Sequence, residues 1–177
     1  ATYDAETGLY TIVYDIEVDN IGEAPGTYTL TDLPSVVATG TVESTVITPT
    51  PVADRLLTPA ETPHAYVVTV TLSVPPAVTD RDAECDVQWN GGGTYNTVTI
   101  AGAIGTDPDP ASDCADLPGP NITTDKATAG TPALVSNLGD VFTYAQSYTV
   151  TVTNTGQGPG TYDLVDTPNF GTGATIT

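Results

Sequence analysis

The side chains best suited to covalent chemistry are Cys85 and Cys114, the only thiols in the 177-residue chain. Acids crowd both of them: Glu84 and Asp86 beside the first, Asp113 and Asp116 beside the second. A redox or metal-binding pair favours C-x-x-C spacing or accompanying histidines, and acidic neighbours raise a thiol's pKa instead of activating it. The even cysteine count in an acidic, Thr-rich chain therefore predicts one structural disulfide, Cys85–Cys114. Closing the loop between them contributes about 3.5 kcal/mol in the chain-entropy picture. The bridge would also bring Asp80, Asp82, Glu84 and Asp86 against Asp107, Asp109, Asp113 and Asp116. Calcium takes hard carboxylate oxygens of this kind, but no EF-hand or nonapeptide pattern organises them. Solvated acidic loops are the stronger reading, and no metal ligand set is fixed by the spacing.

The single histidine, His64, has no G-x-S-x-G nucleophile to serve and reads as a loop histidine at a strand entrance. Acids are plentiful enough for glycosidase-type pairs, yet one tryptophan and few other aromatics leave little to line a sugar cleft. Trp89, beside Asn90-Gly91-Gly92-Gly93, reads first as a core side chain over the disulfide and second as an exposed sugar-stacking platform. Asn121-Ile122-Thr123 is the only N-glycosylation sequon. No catalytic or cofactor-binding residue emerges, so the chain reads as a non-enzyme.

The composition narrows the partners. Twenty-two acids face three cations, Arg55, Arg81 and Lys126, for a formal charge of −19. Binding nucleic acid or anionic lipid depends on Lys and Arg neutralising phosphates, so both partners are excluded. No apolar run approaches the ~20 residues of a membrane helix, which argues against insertion. Methionine is absent and no basic-then-apolar leader opens the chain. It is therefore expected to be processed or part of something longer, with any secretion signal removed or upstream.

Positioning elements must be strands. Threonine supplies roughly a fifth of the chain, and 15 prolines and 17 glycines break it at short intervals. β-Branched residues fit a pleated surface better than a helix. Residues 10–18 alternate, with Tyr10, Ile12, Tyr14, Ile16 and Val18 on one face. Residues 66–74 repeat the pattern with Tyr66, Val68, Val70, Leu72 and Val74. This period of two predicts strands with one buried face. Shorter strands are expected at 27–31, 44–48, 96–101 and 122–128, separated by turn clusters. The fold class is all-β, a sandwich of antiparallel sheets.

An internal repeat organises the whole. The segment YDIEVDNIGEAPGTYTLTDLP (14–34) aligns without gaps to YTVTVTNTGQGPGTYDLVDTP (148–168), with 11 of 21 positions identical. Asn20 matches Asn154 and Asp32 matches Asp166, a constant period of 134. That spacing is the size of a whole domain and not of a solenoid repeat. Residues 119–134 then have no counterpart before Ala1, and the natural boundary falls at Leu117-Pro118-Gly119-Pro120. Residues 1–118 are thus expected to form one unit without its opening strand. Residues 119–177 hold the linker and the first part of a second unit.

The run Tyr148-Thr-Val-Thr-Val-Thr-Asn154-Thr-Gly156 followed by Asp166-Thr-Pro168 resembles a module common in prokaryotes. It is similar to the Ig-like β-sandwich repeats strung in tandem along large bacterial and archaeal cell-surface and adhesin-like proteins. The late strand Asn96-Thr-Val-Thr-Ile100 and the opening strand bearing Lys126 also match. The resemblance implies an extracellular structural or adhesive stalk and carries no catalytic residues. Surface sandwiches sometimes join a lysine of an opening strand to an asparagine of a closing one by an intramolecular isopeptide bond, catalysed by a buried acid. Lys126 and Asn96 have those placements, though an ordinary surface lysine is the simpler reading.

The expected function is a non-catalytic repeat of an extracellular fibre, stalk or filament on a prokaryotic cell surface. The alternative is an adhesin module gripping a glycan or host protein through the 89–95 loop. The expected partners are neighbouring copies, end to end. They would lie in one long polypeptide or be joined by strand addition, in which 122–128 of one molecule completes the next. A third arrangement has that strand folding back on its own unit.

Overall fold

The computed structural model describes residues 1–36, 39–75, 85, 93–102, 107–169, 172–173 and 175. Ten strands are assigned among them, in an all-β architecture. One four-stranded antiparallel sheet has the order β1 (Thr2–Asp4), β2 (Leu9–Val18), β6 (His64–Ser73), β4 (Thr41–Thr48). A second has the order β5 (Arg55–Leu57), β3 (Gly26–Val36), β7 (Thr94–Ala101), β8 (Ala111–Ala115). A separate hairpin joins β9 (Ile122–Leu138) to β10 (Val141–Asn154).

The two alternating segments form the centre of the first sheet. β2 pairs with β6 from Tyr10 opposite Leu72 to Val18 opposite His64. Tyr10, Ile12, Tyr14 and Val18 are buried, as are Tyr66, Val68, Val70 and Leu72, while Ile16 is half-buried. Their inward faces meet the second sheet in two clusters. Tyr10, Ile12, Tyr14 and the β6 side chains pack with Leu117, Val36 and Ala115. Val18 and Tyr66 pack with Tyr28, Leu30 and Leu57, flanked by Val98 and Ile100. Each fully buried aliphatic side chain contributes roughly 1.5–3 kcal/mol of transfer free energy, which makes β6 the most heavily stabilised strand.

Several strands exceed their expected lengths. β3 runs on to Val36 through Pro34, which faces Asn96 on β7. β9 runs on to Leu138 through an irregularity in its pairing with β10 near Ala145 and Ser147. There Gly130 adopts φ +82°, and its carbonyl accepts a hydrogen bond from Gln146 Nε2 at 3.3 Å. The fold-back arrangement is corrected here: residues 122–128 pair with residues 148–154 of β10 and not with β2. The Tyr-x-Val-x-Val pattern of β10 supplies a ready antiparallel ladder there, in register from Asn154 opposite Ile122.

Candidate functional site

The predicted bridge is formed: Cys85 and Cys114 are bonded, with Cα atoms 5.9 Å apart. It ties residue 85 to β8, whose Cys114 lies opposite Tyr95 of β7. Gly93 packs against it so closely that a Cβ there would stand 2.8 Å from Cys85 Sγ and 2.9 Å from Cys114 Sγ. Two of the acids beside the bridge accept hydrogen bonds from its backbone. Asp116 Oδ1 accepts from Cys85 N–H at 2.6 Å, and Asp113 Oδ1 accepts from Cys114 N–H at 2.8 Å. No cluster of three His, Cys, Asp or Glu side chains with metal-binding geometry occurs among the described residues. Asp80, Asp82, Glu84, Asp86 and Trp89 lie outside those residues, so the calcium and sugar-platform expectations are not addressed by the structure. Asn121 is exposed at the start of the hairpin.

His64 is the first residue of β6 and joins a network the sequence does not reveal. Its Nδ1 accepts from Arg55 Nε at 3.1 Å and lies 2.8 Å from Tyr28 OH. An acceptor Nδ1 carries no proton, so Tyr28 must donate to it and in turn accept from Tyr66 OH at 2.7 Å. That assignment leaves the proton on Nε2, which faces Glu61 Oε1 at 3.6 Å. The Glu61–His64–Tyr28 order resembles a relay, with Tyr28 and Tyr66 buried in the core. Burial pushes the Tyr28 phenol well above its ordinary pKa, which opposes its use as a nucleophile. The network ties β3, β5 and β6 together.

The second constellation lies between the sheets, at the β3–β7 pair. Asn96 is 5% exposed and donates from Nδ2 to Asp32 Oδ1 at 2.7 Å. Asp32 Oδ2 and Asn96 Oδ1 are buried without a hydrogen-bond partner among the described residues. Burial raises the Asp32 carboxyl pKa against the smaller lowering effect of the Asn96 hydrogen bond. Beside them Tyr14 OH donates to Thr94 O at 2.7 Å, fixing the start of β7 to β2. Burial, and then the charges of Asp113 and Asp32, push Tyr14 up to about 12. Together with the Thr94 hydroxyl these oxygens are left unpaired among the described residues, an arrangement that a further donor would complete.

The hairpin shows the corresponding positions with such a donor present. Asp166 is the equivalent of Asp32 one period later, and Lys126 Nζ meets Asp166 Oδ1 at 2.5 Å. The same Nζ lies 4.7 Å from the ring centre of Tyr148, the equivalent of Tyr14. The loops preceding these aspartates also match. Gly22 N–H donates to Asn20 Oδ1 and Gly156 N–H to Asn154 Oδ1, both at 3.0 Å. Asn20 Nδ2 reaches Ala24 O at 3.0 Å, and Asn154 Nδ2 reaches Gly158 O at 2.9 Å.

What differs is the covering. In the hairpin unit, Gly119 O accepts from Gly158 N–H at 3.0 Å and Asn121 O from Thr155 N–H at 2.8 Å. A Cβ on Gly156 or Gly160 would strike Asn121, Gly119 or Pro120, so residues 118–122 lie directly on that loop. In the first unit Gly26 has nothing near its Cβ direction, and Gly22 has only its own Asn20. The loop there borders an open cavity of about 440 Å³ against Tyr28, Leu57 and Ile100. Alongside it, β2 pairs with β1 only at Leu9, Tyr10 and Thr11, leaving residues 12–18 with an unpaired edge among the described residues.

No family model, curated protein or solved structure matches the chain.

Proposed function

We propose that the chain is a non-catalytic structural repeat of an extracellular fibre, stalk or filament on a prokaryotic cell surface, its copies set end to end. The observation that carries this reading is the contrast between equivalent positions of the repeat. Tyr10 and Tyr28 are 5% and 4% exposed, whereas Tyr144 and Tyr162 are 60% and 57% exposed. Leu30 and Leu164 differ in the same way. The second unit therefore presents the core-forming face of the first, and a further β-sandwich portion is the complement it fits. A disulfide and a charge of −19 suit a rod standing in an oxidising, aqueous surrounding.

The test is to compare native material by sedimentation with the same material after reduction and denaturing electrophoresis. The reading expects elongated native particles many times heavier than the 18.1 kDa chain. On the gel, a single very large band marks one long polypeptide, and a band near 18.1 kDa marks strand addition between short subunits. Compact native particles of one chain's mass contradict both.

A further inference from the structure

We propose that the exposed loop from Asn20 to Gly26, with the cavity behind it, is the seat for a second copy of the segment Pro118–Ile122, supplied by a neighbouring repeat. The proposal rests on the end-to-end reading and names the surface at which one copy meets the next.

Three glycines of the hairpin unit have a steric reason to be glycine. A Cβ at Gly156 would strike Asn121 N, one at Gly158 would strike Pro118 O, and one at Gly160 would stand 2.6 Å from Pro120 Cβ. One period earlier stand Gly22, Ala24 and Gly26. Neither of these two glycines has a left-handed φ. Gly26 meets no atom within 4 Å of its Cβ direction, and Gly22 meets only Asn20 Oδ1 at 3.2 Å. Nothing in the first unit requires glycine there, whereas close approach of a second backbone does.

The hydrogen-bonding groups repeat in the same way. On the hairpin loop, Thr155 N–H donates to Asn121 O at 2.8 Å and Gly158 N–H to Gly119 O at 3.0 Å. Asn154 Oδ1 accepts from Asn121 N–H at 3.0 Å. The equivalents are Ile21 N–H, Ala24 N–H and Asn20 Oδ1, on a loop that Asn20 braces as Asn154 braces its own. Ile21 N–H and Ala24 N–H have no hydrogen-bond partner among the described residues, and residues 21–25 are all exposed. Gly158, by contrast, is buried under the segment that crosses it.

The cavity supplies an apolar anchor point. Ile122 Cδ1 lies 3.0 Å from the Cβ direction of Gly160. The same placement beside Gly26 puts an isoleucine into the cavity lined by Val18, Tyr28, Leu57 and Ile100, where Ile21 stands 96% exposed at the border. From there the incoming strand would continue along the residue 12–18 edge of β2, as β9 runs along β10. Pro118 and Pro120 restrict the segment before it docks, which lowers the cost of ordering it. Pro118–Ile122 carries no charge, so Asp19 and Glu23 beside the cavity do not repel it. The chain's own segment is engaged on the Asn154 loop, in the unit that follows it. In an end-to-end array the Asn20 loop therefore takes the segment that ends the preceding copy. One difference matters: Ala24 carries a methyl where Gly158 has none, so Pro118 must ride slightly farther out.

A dye-labelled peptide of residues 118–128 is titrated with the full chain and followed by fluorescence anisotropy. Saturable binding is expected. Gly26→Val, which the free loop has room for, should weaken it roughly tenfold or more by blocking Pro120 and Ile122. Ala24→Gly should tighten it by removing the methyl beneath Pro118. Folding of both variants is checked by circular dichroism. A peptide carrying Asn121→Pro, which lacks the N–H aimed at Asn20 Oδ1, should bind more weakly to the unaltered chain. A folded chain that does not bind the peptide, or binds a scrambled one equally well, overturns the proposal. Binding that Gly26→Val leaves unchanged overturns it too. If elongated native particles are found while no peptide binds, the seat fails alone and the fibre reading stands.

Discussion

At the residue scale, Gly93 is the position where backbone conformation and packing coincide. Its φ of +73° lies in the left-handed region, and the disulfide sulfurs occupy the space of a Cβ. Gly93→Ala is expected to cost about 1–3 kcal/mol, read as a lowered midpoint in urea with unchanged slope. Reducing the bridge first should shrink that penalty, because the sulfurs can then part. The buried phenols set the alkaline limit. Tyr14 ionises at about 12 in the fold against 10.0 when exposed, and Tyr28 and Tyr10 are also raised, chiefly by burial. Below pH about 10 the phenols are neutral in both states and their contribution is complete. Above it the unfolded chain releases protons that the native chain retains, so stability falls as pH rises towards 12. Thermal melts from pH 8 upward should show a flat region and then a decline that begins near 10. A midpoint that does not fall there contradicts the buried-phenol assignment.

At the element scale, the repeat allows one substitution to be made in two environments. Tyr10→Ala empties a buried site on β2 and is expected to cost about 3–5 kcal/mol. Tyr144→Ala, the same position on β10, removes an exposed ring and should change stability by no more than about 0.5 kcal/mol. Chemical denaturation of both variants checks the pair, and equal losses would mean that the hairpin face is covered. The alternation of β2 and β6 was legible because one face of each is wholly apolar. β1 and β5 span three residues each, too short for any period to register, and β8 reads Ala-Ser-Asp-Cys-Ala without an apolar face. β3 was cut short by Pro34 and β9 by Gly130 and Pro132, residues that ordinarily mark strand ends. Both strands tolerate them because irregular pairing absorbs the break in β9, and in β3 the sheet continues on the β7 side. The disulfide was legible from count and context. The Asp32–Asn96 contact was not, because its partners lie on different strands and meet through register alone. The same holds for the His64 network, whose members come from three strands and the turn before β6.

At the scale of the whole molecule, the charge and the repeat act together. In the proposed fibre, 22 acids against three cations would keep neighbouring copies apart sideways, and residues 122–128 of one copy would meet the residue 12–18 edge of the next. A contact between two different surfaces does not close on itself and so propagates into a fibre. The most direct measurement is electron microscopy of native material decorated with an antibody against residues 1–118. The account expects thin extracellular fibres labelled at one constant interval, set by the period of the repeat. Label confined inside the cell, or spread over compact particles without a regular spacing, would contradict it.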